Sequence, residues 1–184
     1  MKCGAITVPH YLRKTMRLFI SFNFDDEITD ELVRLQRQLK DAGVRGNFTK
    51  QENLHMTAAF IGEYGNPDDV LDILEQVAFR PIDISFDDVQ IFREMYLLRI
   101  KSNPGLESYV RRLRRALAEN EIPFDRKKFS PHITLIRKVS FQNGTIDATK
   151  KIIIPNSASV RKVSLMRSVQ GKSGMIYTEL GNIE

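Results

Sequence analysis

Two stretches of this chain repeat one pattern: Leu54-His55-Met56-Thr57-Ala58-Ala59-Phe60-Ile61-Gly62 and Pro131-His132-Ile133-Thr134-Leu135-Ile136-Arg137. Both are apolar runs of strand length that begin with His-x-Thr. Side chains alternate across a β-strand, so His55 and Thr57 are predicted on one face and Leu54, Met56, Ala58 and Phe60 on the other. His132 and Thr134 project together in the same way, opposite Ile133 and Leu135. Such strands need an apolar core behind them and tolerate water in front. Each follows a helical pattern and a connection, so the chain contains an internal echo that predicts two related α+β lobes packed into one domain.

The remaining periodicity fits that plan. Residues 18–24 read as a strand. Asp25 or Asp26 caps a helix with Ile28, Leu32, Leu35 and Leu39 on one face, closed by Gly43. Asn66-Pro67 opens a second helix through Val70, Ile73, Leu74 and Val77. Residues 82–86 and 95–100 form an expected strand pair, followed by a basic helix at about 105–119 that turns Leu106, Tyr109, Val110, Leu113 and Leu117 inward. Runs at 151–154, 160–166 and 175–180 complete the expected β content. No Gly/Ser/Pro-rich linker interrupts the series, and 184 residues suffice for one substantial core. Residues 16–184 are therefore expected to form a single domain. Residues 1–15 lack periodicity and are expected to be a poorly ordered leader, or the product of a start codon upstream of Met16.

The net charge of +5 permits an anionic partner such as RNA, although solvated lysine would produce it equally well. A single cysteine, Cys3, allows no internal disulfide, which makes a reducing cytoplasm the default compartment. No run approaches the ~18 apolar residues that cross a bilayer.

Two of the chain's three histidines carry threonine at the same offset. A lone histidine near a strand end is usually just hydrogen-bonded and half-exposed; a matched pair is not explained that way. A zinc site would need three or four ligands, and neither motif brings a cysteine or an acidic residue onto its His/Thr face. No metal is therefore expected, and no nucleophile-elbow glycine pattern is present. Imidazole titrates near neutrality, so one histidine can accept a proton while the other donates one, which suits in-line displacement at phosphorus. Thr57 and Thr134 can donate to phosphoryl oxygens. Arg137 is the natural counter-cation, its alternative being a solvent-facing arginine at a strand end.

The run from Glu52 to Glu63, the run from Phe129 to Arg137 and the opening Met16-Arg17-Leu18-Phe19-Ile20 closely resemble the 2H phosphoesterase superfamily. Within it they are similar to the RNA 2′,3′-cyclic phosphodiesterases, historically called 2′-5′ RNA ligases; Ser168, Gly174 and Tyr177 also fall where members often carry those residues. The resemblance implies a bilobal α+β fold, two pseudo-symmetric lobes each with an antiparallel sheet and outer helices, and the four motif residues facing across a central cleft. It implies hydrolysis of a 2′,3′-cyclic phosphate on RNA ends or nucleotides to a 2′-phosphate, without a cofactor, by a cytoplasmic monomer. By analogy His132 activates water and His55 protonates the 3′-oxygen. Joining of RNA halves by a 2′-5′ ligase reaction, or RNA binding without turnover, are the alternatives. Members often have tryptophan where this chain has Asn47-Phe48-Thr49, so Phe48 either offers a surface to a base or fills the core. Tyr177 and the Arg126-Lys127-Lys128 run are candidate RNA contacts, whereas Arg111, Arg112, Arg114 and Arg115 read as a solvated helix face.

Overall fold

The amphipathic segments found in the sequence form the elements of a computed structural model that describes residues 15–141, 152–172 and 174–184. In chain order they are β1 (Met16–Asn23), α1 (Asp26–Asp41), β2 (Val44–Phe48), a 3₁₀ turn (Gln51–Asn53), β3 (Met56–Tyr64), α2 (Pro67–Gln76), β4 (Ile82–Phe92), β5 (Met95–Ile100), α3 (Pro104–Glu119), β6 (His132–Phe141), β7 (Ser157–Val160), β8 (Lys162–Gly171) and β9 (Gly174–Ile183). Among the described residues no helix is long and apolar enough to cross a membrane.

Alternation in β1 sends Leu18, Ile20 and Phe22 into the core, each with no exposed surface, and leaves Phe19, Ser21 and Asn23 on the opposite face. Helix ends follow local chemistry. Asp25 accepts from the Ile28 amide at 3.0 Å and Asn103 from the Leu106 amide at 2.9 Å, satisfying otherwise orphaned donors. Asn66 makes no such bond; its side chain donates to Asp69 instead, and Pro67 starts α2. The predicted inner faces are buried: Leu32, Leu35 and Leu39 on α1, Val70, Ile73 and Leu74 on α2, and all five named residues on α3. Ile28 packs at the edge of that core.

The strands run β7-β4-β5-β6-β3-β1-β8-β9, every neighbour antiparallel, with β2 alongside β6. Two strand–helix–strand units, β1-α1-β3 and β5-α3-β6, meet where β3 pairs β6 through Met56 and Ile133. The α+β class is as expected; the two sheets foreseen for separate lobes are joined at that seam into one. Two of the helices reach across it. α1 lies against β2 and β6, and α3 against β3, β4 and α2.

Two local expectations change. Residues 152–154 form no strand (residue 151 lies outside the described residues), because the Gln38 side chain satisfies both the amide and the carbonyl of Ile153, at 2.7 and 3.3 Å. β2 was not foreseen, since Arg45-Gly46-Asn47 shows no apolar alternation. Its backbone is held by close approach: a Cβ on Gly46, at φ +152°, would lie 2.8 Å from the Arg137 carbonyl oxygen. The segment 1–14 of the expected leader lies outside the described residues.

Candidate active site

Pairing of Met56 with Ile133 places His55 opposite Thr134 and Thr57 opposite His132. The two histidines therefore occupy one diagonal of a two-by-two array and the two threonines the other. Directly opposed residues are ~5 Å apart and diagonal ones ~7–8 Å. All four are half-buried, while Met56 and Ile133 beneath them are fully buried. His55 stands one residue ahead of β3, but the alternation His-in-front, Met-behind, Thr-in-front persists.

Both imidazoles are held alike. His55 Nδ1 donates to the Asn53 carbonyl at 2.7 Å, and His132 Nδ1 donates to the Ser130 carbonyl at 2.7 Å. A carbonyl can only accept, so Nδ1 carries the hydrogen and Nε2 is the working nitrogen. Thr57 Oγ1 lies 3.2 Å from His55 Nε2 and donates to it when the ring is neutral.

The face that each motif presents is set by a β-bulge immediately after the threonine. Between β1 and β3, Ser21 pairs Thr57 but Ile20 pairs Ala59, which leaves Ala58 extra. Between β5 and β6, Leu97 pairs Thr134 but Tyr96 pairs Ile136, which leaves Leu135 extra. A bulge shifts the alternation by one. Phe60, expected in the core, consequently lies on the cleft face opposite Phe19, half-buried, with the Arg17 guanidinium 5.0 Å from its ring centroid. By the same shift Arg137, three residues after Thr134, returns to the threonine's face instead of turning away.

Each bulge is tied down by the helix of the other unit. Gln36 on α1 donates to Leu135 O at 2.8 Å and to Thr49 O at 2.8 Å. Arg114 on α3 donates to Ala58 O at 3.2 Å and to Lys127 O at 2.7 Å. Arg114 is therefore not part of a solvated face, as Arg111, Arg112 and Arg115 are; its guanidinium sits near the Phe124 and Phe129 rings, 6.0 and 5.7 Å from their centroids.

Arg137 reaches Met95 Sδ at 3.4 Å and lines a cleft of about 610 Å³ together with His55, Thr134, Phe48, Lys50 and Tyr177. Lys138, which follows it, holds φ at 51°, so strain is concentrated where the arginine is aimed. His132 and Thr57 lie on the same face at the cleft's edge, outside its lining. Burial, reinforced by the positive charges of Arg137 and His132 and opposed by the Asn53 hydrogen bond, pushes the His55 pKa down to about 4. Its ring packs against Phe19 at 5.0 Å and edge-on to Tyr177 at 5.4 Å.

Phe48 packs on the core, as one of its two expected roles has it, and its exposed part lines the cleft. Arg126, Lys127 and Lys128 are not brought into the cleft: Arg126 lies over Phe124, and Lys127 pairs with Asp125 at 3.2 Å. Lys50, Asn53, Lys138, Gln170, Lys172 and Met175 also line the cleft, and sequence reasoning gave none of them a role. Only the two glycines that pair there, Gly171 and Gly174, could have hinted at the last three. Among the described residues no three His, Cys, Asp or Glu side chains gather in a group that could hold a metal ion.

Two His-x-Thr strands thus meet along one antiparallel seam. Residues 24–172 match the family model of the 2′-5′ RNA ligase superfamily, and the chain belongs to that superfamily, the 2H phosphoesterases. An RNA 2′,3′-cyclic phosphodiesterase of Archaeoglobus fulgidus is 29% identical over 183 residues, covering 90% of this chain and 98% of the relative. The RNA 2′,3′-cyclic phosphodiesterase of Methanothermobacter thermautotrophicus is 26% identical over 182 residues, with 90% and 96% covered. TT0787 of Thermus thermophilus shares the fold with a TM-score of 0.73 at 23% identity, covering 91% of this chain and 97% of that one. The phosphate complex of E. coli LigT does so with 0.68 at 23%, covering 92% and 96%.

Proposed function

We propose that this protein is an RNA 2′,3′-cyclic phosphodiesterase that opens a terminal 2′,3′-cyclic phosphate to a 2′-phosphate, using two histidines and no metal ion. The diagonal of His55 and His132 supports the reading: two proton-transfer groups ~7–8 Å apart on one face leave room for a phosphorus between them, as in-line displacement requires. The names of the relatives from Archaeoglobus and Methanothermobacter support the substrate class.

Water attacks phosphorus and passes a proton to His132 Nε2. The bond from phosphorus to the 3′-oxygen breaks, and His55 Nε2 delivers a proton to that oxygen. Thr57, Thr134 and Arg137 donate to the non-bridging oxygens. For this assignment His55, neutral above pH ~4 in the free protein, must take up a proton with the substrate. At pH 7 that costs ~4 kcal/mol at 1.36 kcal/mol per unit. A unit negative charge ~4 Å away returns ~4 kcal/mol at an effective dielectric near 20, so the anionic phosphate can supply its own acid. Protonated His55 no longer accepts from Thr57, which frees that hydroxyl for the phosphoryl group.

Hydrolysis of 2′,3′-cyclic nucleotides is expected to persist in EDTA and to fall at least ~100-fold in His55→Ala and in His132→Ala. Full activity in either variant refutes the two-histidine reading. Calorimetric binding of a nucleoside 2′-phosphate near pH 7 in buffers of different ionisation enthalpy should show net proton uptake that disappears in His55→Ala. No uptake would reverse the two histidines' roles.

A further inference from the structure

We propose that the cleft-facing side of the β4–β5 ribbon binds the nucleotide that precedes the cyclic-phosphate end of an RNA strand, with Phe92 as its stacking platform. This rests on the phosphodiesterase reading and extends it from the reacting group to the chain behind it.

Cross-strand register carries the argument. Phe92 pairs Met95, and Met95 pairs Arg137, so the three side chains project from one face in a single row. That row starts at the phosphate-suited cation and ends two strand spacings away, ~10 Å, at an aromatic ring. The neighbouring row runs Gln90, Leu97, Thr134, and Arg99 stands directly opposite His132. Arg99 donates to Gln90 Oε1 at 2.8 Å and lies 3.9 Å from the Asp88 carboxylate, which offsets part of its charge and keeps it extended over the ribbon. A cation, an amide and an aromatic ring thus lie one or two strands from the reacting groups.

The ring itself is unusual. Phe92 is 50% exposed at a two-residue hairpin turn, with the Arg93 guanidinium 5.4 Å from its centroid. Arg93 holds φ at 54°, a conformation glycine adopts without strain. The tip is also fixed to the site, because the Glu94 carbonyl accepts from the Val139 amide at 3.0 Å. An exposed, anchored aromatic ring beside the Arg93 guanidinium and in one row with Arg137 matches the chemistry of single-stranded nucleic acid binding, in which bases stack on rings and cations follow the backbone. Stacking is sequence-tolerant, so the platform selects for a preceding nucleotide without selecting its base.

The test compares a 2′,3′-cyclic mononucleotide with a dinucleotide ending in the same cyclic nucleotide, using the full chain. Phe92→Ala should lower kcat/KM on the dinucleotide about ten-fold, mainly through KM, as expected for the loss of one base stack. The mononucleotide should be hydrolysed as by the parent, Phe92→Trp should keep the dinucleotide advantage, and a dinucleotide with an abasic upstream unit should gain nothing from Phe92. Equal loss on both substrates, or no loss on the dinucleotide, overturns the platform; the latter result would leave the exposed ring to a protein contact. Kd values for the corresponding mono- and dinucleotide 2′-phosphates are measured in parallel. Absence of turnover on both substrates then counts against the phosphodiesterase reading, while the ratio of Kd values still decides the platform.

Discussion

Replacing Gln36 with leucine tests whether the bulge at Leu135 aims the second motif. The side chain is 6% exposed and sends one amide nitrogen to two carbonyls, Leu135 O and Thr49 O, each at 2.8 Å. Leucine has similar bulk and cannot donate. Leu135 O keeps the Thr49 amide at 2.9 Å, so its loss is one net hydrogen bond, ~1 kcal/mol. Thr49 O loses its Gln36 donor in a half-buried position, ~1–3 kcal/mol. The expected destabilisation is ~2–4 kcal/mol by urea unfolding, at the lower end if water reaches Thr49. The catalytic effect should exceed what stability explains. Thr134 and Arg137 share a face only because Leu135 is extra, and ~1 Å of relaxation costs up to ~100-fold in rate. kcat on a cyclic mononucleotide should therefore fall in fully folded Gln36→Leu. Leu39→Ala, a fully buried change on the same helix, is the control: it should cost ~2–5 kcal/mol and leave kcat near the parent value. If both variants lose stability and neither loses kcat, the bulge does not aim Arg137.

Gly46→Ala should destabilise by ~2 kcal/mol or more and raise KM for anionic substrates, because its Cβ would meet the Arg137 carbonyl at 2.8 Å from a left-handed backbone; thermal melting and steady-state kinetics check both. The low pKa of His55 also makes stability pH-dependent. The native pKa of about 4 lies below the ordinary 6.5, so the unfolded chain binds the proton first, and stability should fall by at most ~3 kcal/mol as pH drops from ~6.5 towards ~4. His55→Gln should flatten that slope in urea titrations at pH 7, 5.5 and 4, and an unchanged slope would place the proton elsewhere.

Periodicity made the scaffold legible where burial is one-sided. The inner faces of α1, α2 and α3 and the His/Thr faces of both motifs followed from spacing alone, because each element buries a stripe of matching period. It failed where a single residue breaks the period. Nothing in Thr57-Ala58-Ala59-Phe60 announces an extra residue, so Phe60 is read into the core and the geometric reason for Arg137 stays hidden. Gln36 was invisible for a related reason: a glutamine among leucines on α1 looks like surface until a carbonyl across the seam needs a donor. β2 was unreadable because Gly46 contributes a missing side chain, and missing atoms leave no hydrophobic signal.

The site is duplicated in geometry and unequal in environment. Both histidines hold Nδ1 on the carbonyl two residues back, both threonines precede a bulge, and both bulges are tied by a side chain from the opposite helix. Around His55, however, the Phe19 and Tyr177 rings close in and Arg137 adds charge, whereas His132 faces the exposed Arg99 at the cleft's edge. Here the repeated strands supply registration, and β1, β8 and β9 supply the difference: Tyr177 comes from the β8–β9 hairpin and Phe19 from its neighbour β1. Substitutions at Phe19 or Tyr177 should thus shift the limb of the pH–rate profile that reports His55 without moving either motif strand, whereas substitutions at Gln36 or Arg114 should move a strand and lower kcat across the whole profile.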